Sequence, residues 1–143
     1  MKTWLQITWP VALLLLYAAV FYREPADRRD ADAVAECDQS AALEIRVLER
    51  CLQFQPDDVE LLLALGTAYD SGSRLADAER VFRRALDVDP RDGDVHLHLG
   101  QVLLQIGDAK AARAEGNRAL ALLPGNPVAI RLIERAALDG VIK

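Results

Sequence analysis

Pro56, Pro90 and Pro124 stand 34 residues apart, and a chain punctuated at a constant interval is built from stacked copies of one small unit. Residues 59–90 read VELLLALGTAYDSGSRLADAERVFRRALDVDP: a helical pattern, a polar turn at Asp70-Ser71-Gly72-Ser73, a second helical pattern and a proline stop. Moving the frame forward by 34 carries Leu65-Gly66 to Leu99-Gly100, Ala78 to Ala112, Ala85-Leu86 to Ala119-Leu120 and Pro90 to Pro124. Moving it back carries Ala85 to Cys51. Each helix has one apolar stripe and cannot bury it alone, so every unit is stabilised mainly by its neighbours.

The chain of 143 residues has a net charge of −5, and residues 34–143 alone hold 18 acidic and 13 basic side chains. Phosphate binding needs clustered positive charge, so a nucleic-acid partner is disfavoured, and attraction to an anionic lipid surface is disfavoured for the same reason. Two cysteines, Cys37 and Cys51, are too few for a disulfide framework and lack metal-ligand spacing. Cys51 takes the small inward position of Ala85 and Ala119, which favours two separate structural thiols; a disulfide between them requires the chain to fold back.

Residues 4–22, WLQITWPVALLLLYAAVFY, carry no charge. Nineteen such residues are just enough for a membrane-spanning helix, with Trp4, Trp9 and Tyr22 at the levels where amphipathic rings settle. The competing reading is a cleaved signal peptide with Lys2 as its basic region; against it, Phe21 and Tyr22 follow a poor cleavage sequence at Ala18-Ala19-Val20. Counting Arg23, Arg28 and Arg29 alone places the distal side in the cytoplasm. Residues 23–33 are charged and proline-marked, a juxtamembrane linker.

The expected organisation is an anchor over 1–22, the linker over 23–33, a degenerate first unit over 34–56, full units over 57–90 and 91–124, and a cap over 125–143. In the first unit the helical pattern runs to Phe54, with a division at Asp38-Gln39-Ser40 that no glycine or proline marks. Asp57 with Glu60 has the spacing of a capping box, and Ser73 is placed to cap the partner helix. Gly66 allows two helices a close approach. Gly116 stands where Phe82 stood, which removes a large core group and adds about 1 kcal/mol of helix-interior cost, so that helix is expected to be the looser one. Asn126-Pro127 is a strong start signal for a last helix running to about 138, with Ile130, Ile133 and Ala137 inward, Arg131, Glu134 and Arg135 exposed, and Gly140 as the stop.

These residues carry a resemblance to the tetratricopeptide repeat (TPR), a hairpin of two helices whose pattern is an aromatic, Leu-Gly, Tyr, Ala, Phe, Ala, Pro. Leu62, Leu65-Gly66, Tyr69, Ala78, Phe82, Ala85 and Pro90 match it, and His96, Leu99-Gly100, Leu103, Ala112, Gly116, Ala119 and Pro124 repeat it with three substitutions. The resemblance implies an all-α fold: a short TPR array of helical hairpins with a C-terminal capping helix, here preceded by one N-terminal transmembrane helix. It also implies a concave groove, lined by the first helix of each unit, that binds a peptide or helix of a protein partner. In that frame the groove presents Glu60, Leu63, Thr67 and Asp70, then Asp94, Leu97, Gln101 and Leu104, then Val128, Arg131 and Arg135. Leu63, Leu97 and Leu104 are either apolar sockets for the ligand or plain packing between helices. Chaperone-docking members hold a carboxyl terminus with Lys, Arg and Asn; Leu63, Thr67, Leu97 and Gln101 do not supply that clamp. Membrane-anchored bacterial members are closer in architecture and often export the distal part, which implies an inner-membrane protein with a periplasmic domain and opposes the count of arginines.

No catalytic or cofactor chemistry is expected. His96 and His98 sit two apart and point about 200 degrees from each other on a helix, so they make no metal pair, and His96 reads as an aromatic stand-in. The aspartates at 57–58, 87–89 and 92–94 flank helix ends, where they cap free amides and favour the helix dipole. No spacing matches a calcium loop, phosphate loop, nucleophile elbow or zinc hydrolase helix. The favoured function is a membrane-tethered interaction module serving as scaffold or assembly factor in a cell envelope. The alternative is a self-associating structural array that joins through its open end near residues 41–54.

Overall fold

The computed structural model describes residues 45–140, all of it helix and short turns. Helix α1 spans Ile45–Phe54, α2 Val59–Ser71, α3 Leu75–Val88, α4 Gly93–Ile106, α5 Ala109–Leu122 and α6 Pro127–Asp139. Helix α1 ends at Phe54, where the pattern predicts; the remainder of the expected first unit, the linker and the 4–22 segment lie outside the described residues. Helices α2 with α3, and α4 with α5, form the two full hairpins, and α6 closes the array. Each helix packs on the next, while α4 also touches α2 and α6. Among the described residues no helix is long and apolar enough to cross a membrane.

Two of the expected caps shift. Asp58, not Asp57, is the extended residue before α2, and its carboxylate accepts from the Leu61 amide at 3.0 Å. Glu60 therefore lies inside the first turn, where its charge faces the positive end of the helix without closing a capping box. Ser73 adopts a left-handed backbone, φ 58°, leaving Arg74 at the start of α3 without a side-chain cap. Arg74 instead pairs with Asp77 at 2.5 Å and covers the Tyr69 ring at 4.4 Å. Hydrogen bonds from Arg80 and Arg74 hold the Asp77 carboxyl below its ordinary range. The later starts follow expectation: Asp92 accepts from Asp94 and Val95, and Asn126 accepts from Val128 and Ala129 ahead of Pro127.

The core is made of small residues facing large ones. A side chain on Gly66 would begin 2.3 Å from the Phe82 ring, which is why the second unit needs glycine opposite phenylalanine. Gly116 does not interrupt α5. The helix runs unbroken over Ala109–Leu122, and a Cβ on Gly116 would lie 2.9 Å from Ile133 Cγ1. The space left by the missing ring admits α6 rather than solvent, so the helix-interior cost is offset by packing. The buried face of α6 is rotated from the expected one: Ala129, Leu132 and Ala136 are inward, and Ile130 is exposed. Positions 130, 133 and 137 are those that a second helix of the same unit would cover, and α6 is followed by none among the described residues.

Cys51 is fully buried and disulfide-bonded, which corrects the expectation of separate thiols. Beside it, the Tyr69 hydroxyl donates to Glu49 Oε1 at 2.5 Å and ties α2 to α1.

Replacing Gly66 with alanine forces the Phe82 ring off its seat. We expect a loss of about 1–3 kcal/mol of stability, read from the urea midpoint. Hydrogen bonding to Glu49, then burial, raises the Tyr69 phenol above its ordinary value of 10.0. A raised folded value means that the contribution is complete below pH 10 and is lost as pH climbs through the folded value. Melting temperatures taken from pH 9 to about 11 will therefore fall more steeply in the parent than in Tyr69→Phe; equal slopes would remove this assignment.

Candidate functional site

The first helices α2, α4 and α6 lie side by side, and the candidate groove residues are distributed along them. Glu60 and Asp94 are exposed in the first turns of α2 and α4, while Arg131 and Arg135 are exposed one turn apart on α6. Among the described residues none of these four is in an ion pair, so the face carries unneutralised acid at the start of α2 and α4 and unneutralised base on α6. Thr67 is exposed but turns its hydroxyl back to the Leu63 carbonyl at 2.8 Å, which satisfies it locally.

The apolar candidates separate. Leu97 is only 7% exposed and packs with Ala119, Ala129 and Leu132, with Leu104 and Val128 against the same cluster. It is thus part of the joint between α4, α5 and α6 and no open socket. Leu63 is half-buried, and Leu104 keeps one side toward solvent. A cleft of about 350 Å³ opens there between α4 and α6, lined by Gln101, Leu104, Gln105, Arg135 and Asp139. Three candidate residues, Gln101, Leu104 and Arg135, are therefore brought together, whereas Glu60, Leu63 and Asp94 do not line that cleft.

Sequence reasoning missed Gln105 and Asp139. Gln105 donates to Asp70 Oδ1 at 2.8 Å and so bridges α4 to α2. The signal was present as Gln101 and Gln105, four apart and hence on one face of a helix. This arrangement has one apolar side chain, amide groups that both donate and accept, one guanidinium and one carboxylate. It can hold a polypeptide segment by hydrogen bonds and charge; it contains no paired nucleophile and base.

The two histidines are structural. His96 is 6% exposed, more buried than expected, with Nδ1 2.7 Å from Glu115 Oε2 and Nε2 3.1 Å from the Pro90 carbonyl. Arg118 pairs with the other oxygen of Glu115. His98 points elsewhere and stacks on Phe82, with centroids 5.8 Å apart. Among the described residues no group of His, Cys, Asp and Glu could hold a metal ion.

With this geometry in view, comparison places the fold. The family model for the tetratricopeptide repeat matches residues 63–127, and the all-α array of hairpins is similar to tetratricopeptide-repeat structures that have been solved. The first TPR domain of human RPAP3 superposes with a TM-score of 0.67 at 17% identity, over 68% of this chain and 77% of that one. MamA of AMB-1 superposes with a TM-score of 0.62 at 25% identity, over 68% of this chain and 57% of that one. The first TPR of Spaghetti (RPAP3), bound to the HSP90 peptide SRMEEVD, gives a TM-score of 0.66 at 17% identity over 69% and 78%. No curated protein sequence matches this chain.

His96→Leu restores a side chain of the kind found at Leu62 but strips Glu115 and the Pro90 carbonyl of a partner. We expect a loss of about 1–3 kcal/mol. Adding Glu115→Leu should recover part of it, since removing both partners costs less than orphaning one. A double-mutant cycle in urea that shows simple additivity would mean that the two side chains do not interact.

Proposed function

We propose that this chain is a membrane-tethered protein-interaction module: residues 4–22 anchor it, and the face formed by α2, α4 and α6 holds a peptide or helix of a partner protein. Its role is that of a scaffold or assembly factor in a bacterial cell envelope, with the repeat array on the periplasmic side of the inner membrane. The observation that carries the reading is the cleft of about 350 Å³ at Gln101, Leu104, Gln105, Arg135 and Asp139, where an apolar side chain, two amides, a guanidinium in no ion pair among the described residues and a carboxylate converge on the face of the first helices. A related array in another protein holds a short peptide, the HSP90 segment carried by the Spaghetti repeat.

Two further observations support the details. The disulfide at Cys51 suits an oxidising compartment outside the cytoplasm, and this favours export over the arginine count. The polarity of the face, acidic at Glu60 and Asp94 and basic at Arg131 and Arg135, suits a segment with opposite charges at its two ends. Leu97 contributes by fixing α6 against α4, which sets the width of the cleft without touching the ligand.

The test is capture of the tagged full-length protein from native membranes in mild detergent, beside a variant carrying Leu63→Ser, Gln101→Ala and Arg135→Glu with unchanged helicity by circular dichroism. We expect a specific partner with the parent and about a tenfold or greater loss with the variant, in keeping with removal of central contacts. The same partners at the same yield would defeat the groove reading. Carbonate-washed membranes that release the full chain would defeat the anchor, and protection of the array from protease added to spheroplasts would defeat its export.

A further inference from the structure

The array supplies its own control for what covers a first helix. Residues 62, 96 and 130 are equivalent by the 34-residue shift, and they are 0%, 6% and 40% exposed. Leu62 and His96 lie under the second helix of their own unit, α3 or α5. Ile130 has no such cover among the described residues, and Leu138 on the same helix is 66% exposed. Tyr69 and Leu103, fully buried, correspond to Ala137, which is only half-buried. The face of α6 that would receive a second helix is therefore formed and, among the described residues, open.

Beside it runs a trough of about 470 Å³ between α5 and α6, floored by Ala109, Ala114, Ala136 and Ala137 and rimmed by Lys110 and Arg113. Small side chains on both walls let a helix backbone approach closely, as Gly66 does for the ring of Phe82. Among the described residues neither Lys110 nor Arg113 pairs with a carboxylate. These two cations stand on a chain whose net charge is −5. An isologous second copy would bring Lys110 and Arg113 of both molecules to one axis, so like charge opposes it. Glu134 stands where Gly66 and Gly100 stand, which bars a bulky ring at that point and favours a polar or basic residue.

We infer that the α5–α6 trough docks one amphipathic helix of a partner protein. The helix lays small or apolar residues, spaced three and four apart, on Ile130 and Ala137, and it sets carboxylates against Lys110 and Arg113. It completes the array as α3 and α5 do within their own units. This site is separate from the α4–α6 cleft, so a partner seated here need not enter the groove.

The test places a photo-crosslinking amino acid at Asn117, an exposed residue beside the trough, in the full-length protein in its native membranes, with the same label at exposed Arg91 as control. The adducts are sequenced by mass spectrometry. The inference expects the Asn117 adduct to map to a segment of another protein that has helical apolar spacing and carries Asp or Glu. It expects Lys110→Glu with Arg113→Glu to lower that yield about tenfold with unchanged melting. An adduct with a second copy of this chain, one with a basic segment, or a yield no greater than at Arg91 would overturn it. So would a yield that survives both charge reversals.

Discussion

The ring of Phe82 occupies the space in which Gly66 would otherwise carry a side chain, and that exchange of one large group for one absent group lets α2 and α3 close on each other. The next unit solves the same problem with different atoms. Gly100 remains, but its counterpart at 116 is also glycine, and the volume is filled from the following helix by Leu132 and Ile133. The joint between α4, α5 and α6 is consequently filled from the helix that follows, whereas at α2 and α3 the filling ring is the hairpin's own Phe82, with His98 of α4 stacked on it. Everything said of the groove depends on this, since the position of α6 decides whether a cleft exists beside Leu104 and Arg135.

Polar side chains then set how the units meet. His96, in the place of an aromatic residue, is held between Glu115 of α5 and the carbonyl of Pro90, at the bend where one unit passes to the next. Tyr69 reaches back to Glu49 on α1, and Gln105 reaches back to Asp70 on α2. Each bond crosses between units or between helices of one unit, so they fix register along a stack whose apolar contacts are individually tolerant of sliding. Among the described residues the same face leaves Glu60, Asp94, Arg131 and Arg135 without an ion pair, which costs little in water and leaves charge available to a partner.

Much of this was legible in the residues. The 34-residue period, the hairpins, the glycine at 66 and the start at Asn126-Pro127 follow from spacing and from what glycine, proline and asparagine permit. The cap expected at Asp57 falls one residue later, at Asp58, because adjacent aspartates compete and the backbone path decides which meets the free amides, while the left-handed backbone at Ser73 leaves α3 with no side-chain cap at all. Ile130 was read as inward because it repeats Leu62 and His96, yet inwardness there depends on a second helix, and α6 has none among the described residues. Gly116 was read as a defect because the neighbour that fills it lies 17 residues further on.

Local chemistry therefore established the kind of element at each place and the interval at which elements recur, since turns, caps and apolar stripes act over a few residues. Which side chains remain free to meet another molecule was set by packing across units. Leu97 and Leu104 sit seven apart on one helix and look alike in the chain; the approach of α6 buries the first and leaves the second at the edge of a cleft. Accessibility belongs to the neighbours of a residue rather than to the residue, and those neighbours come together only when the stack has closed.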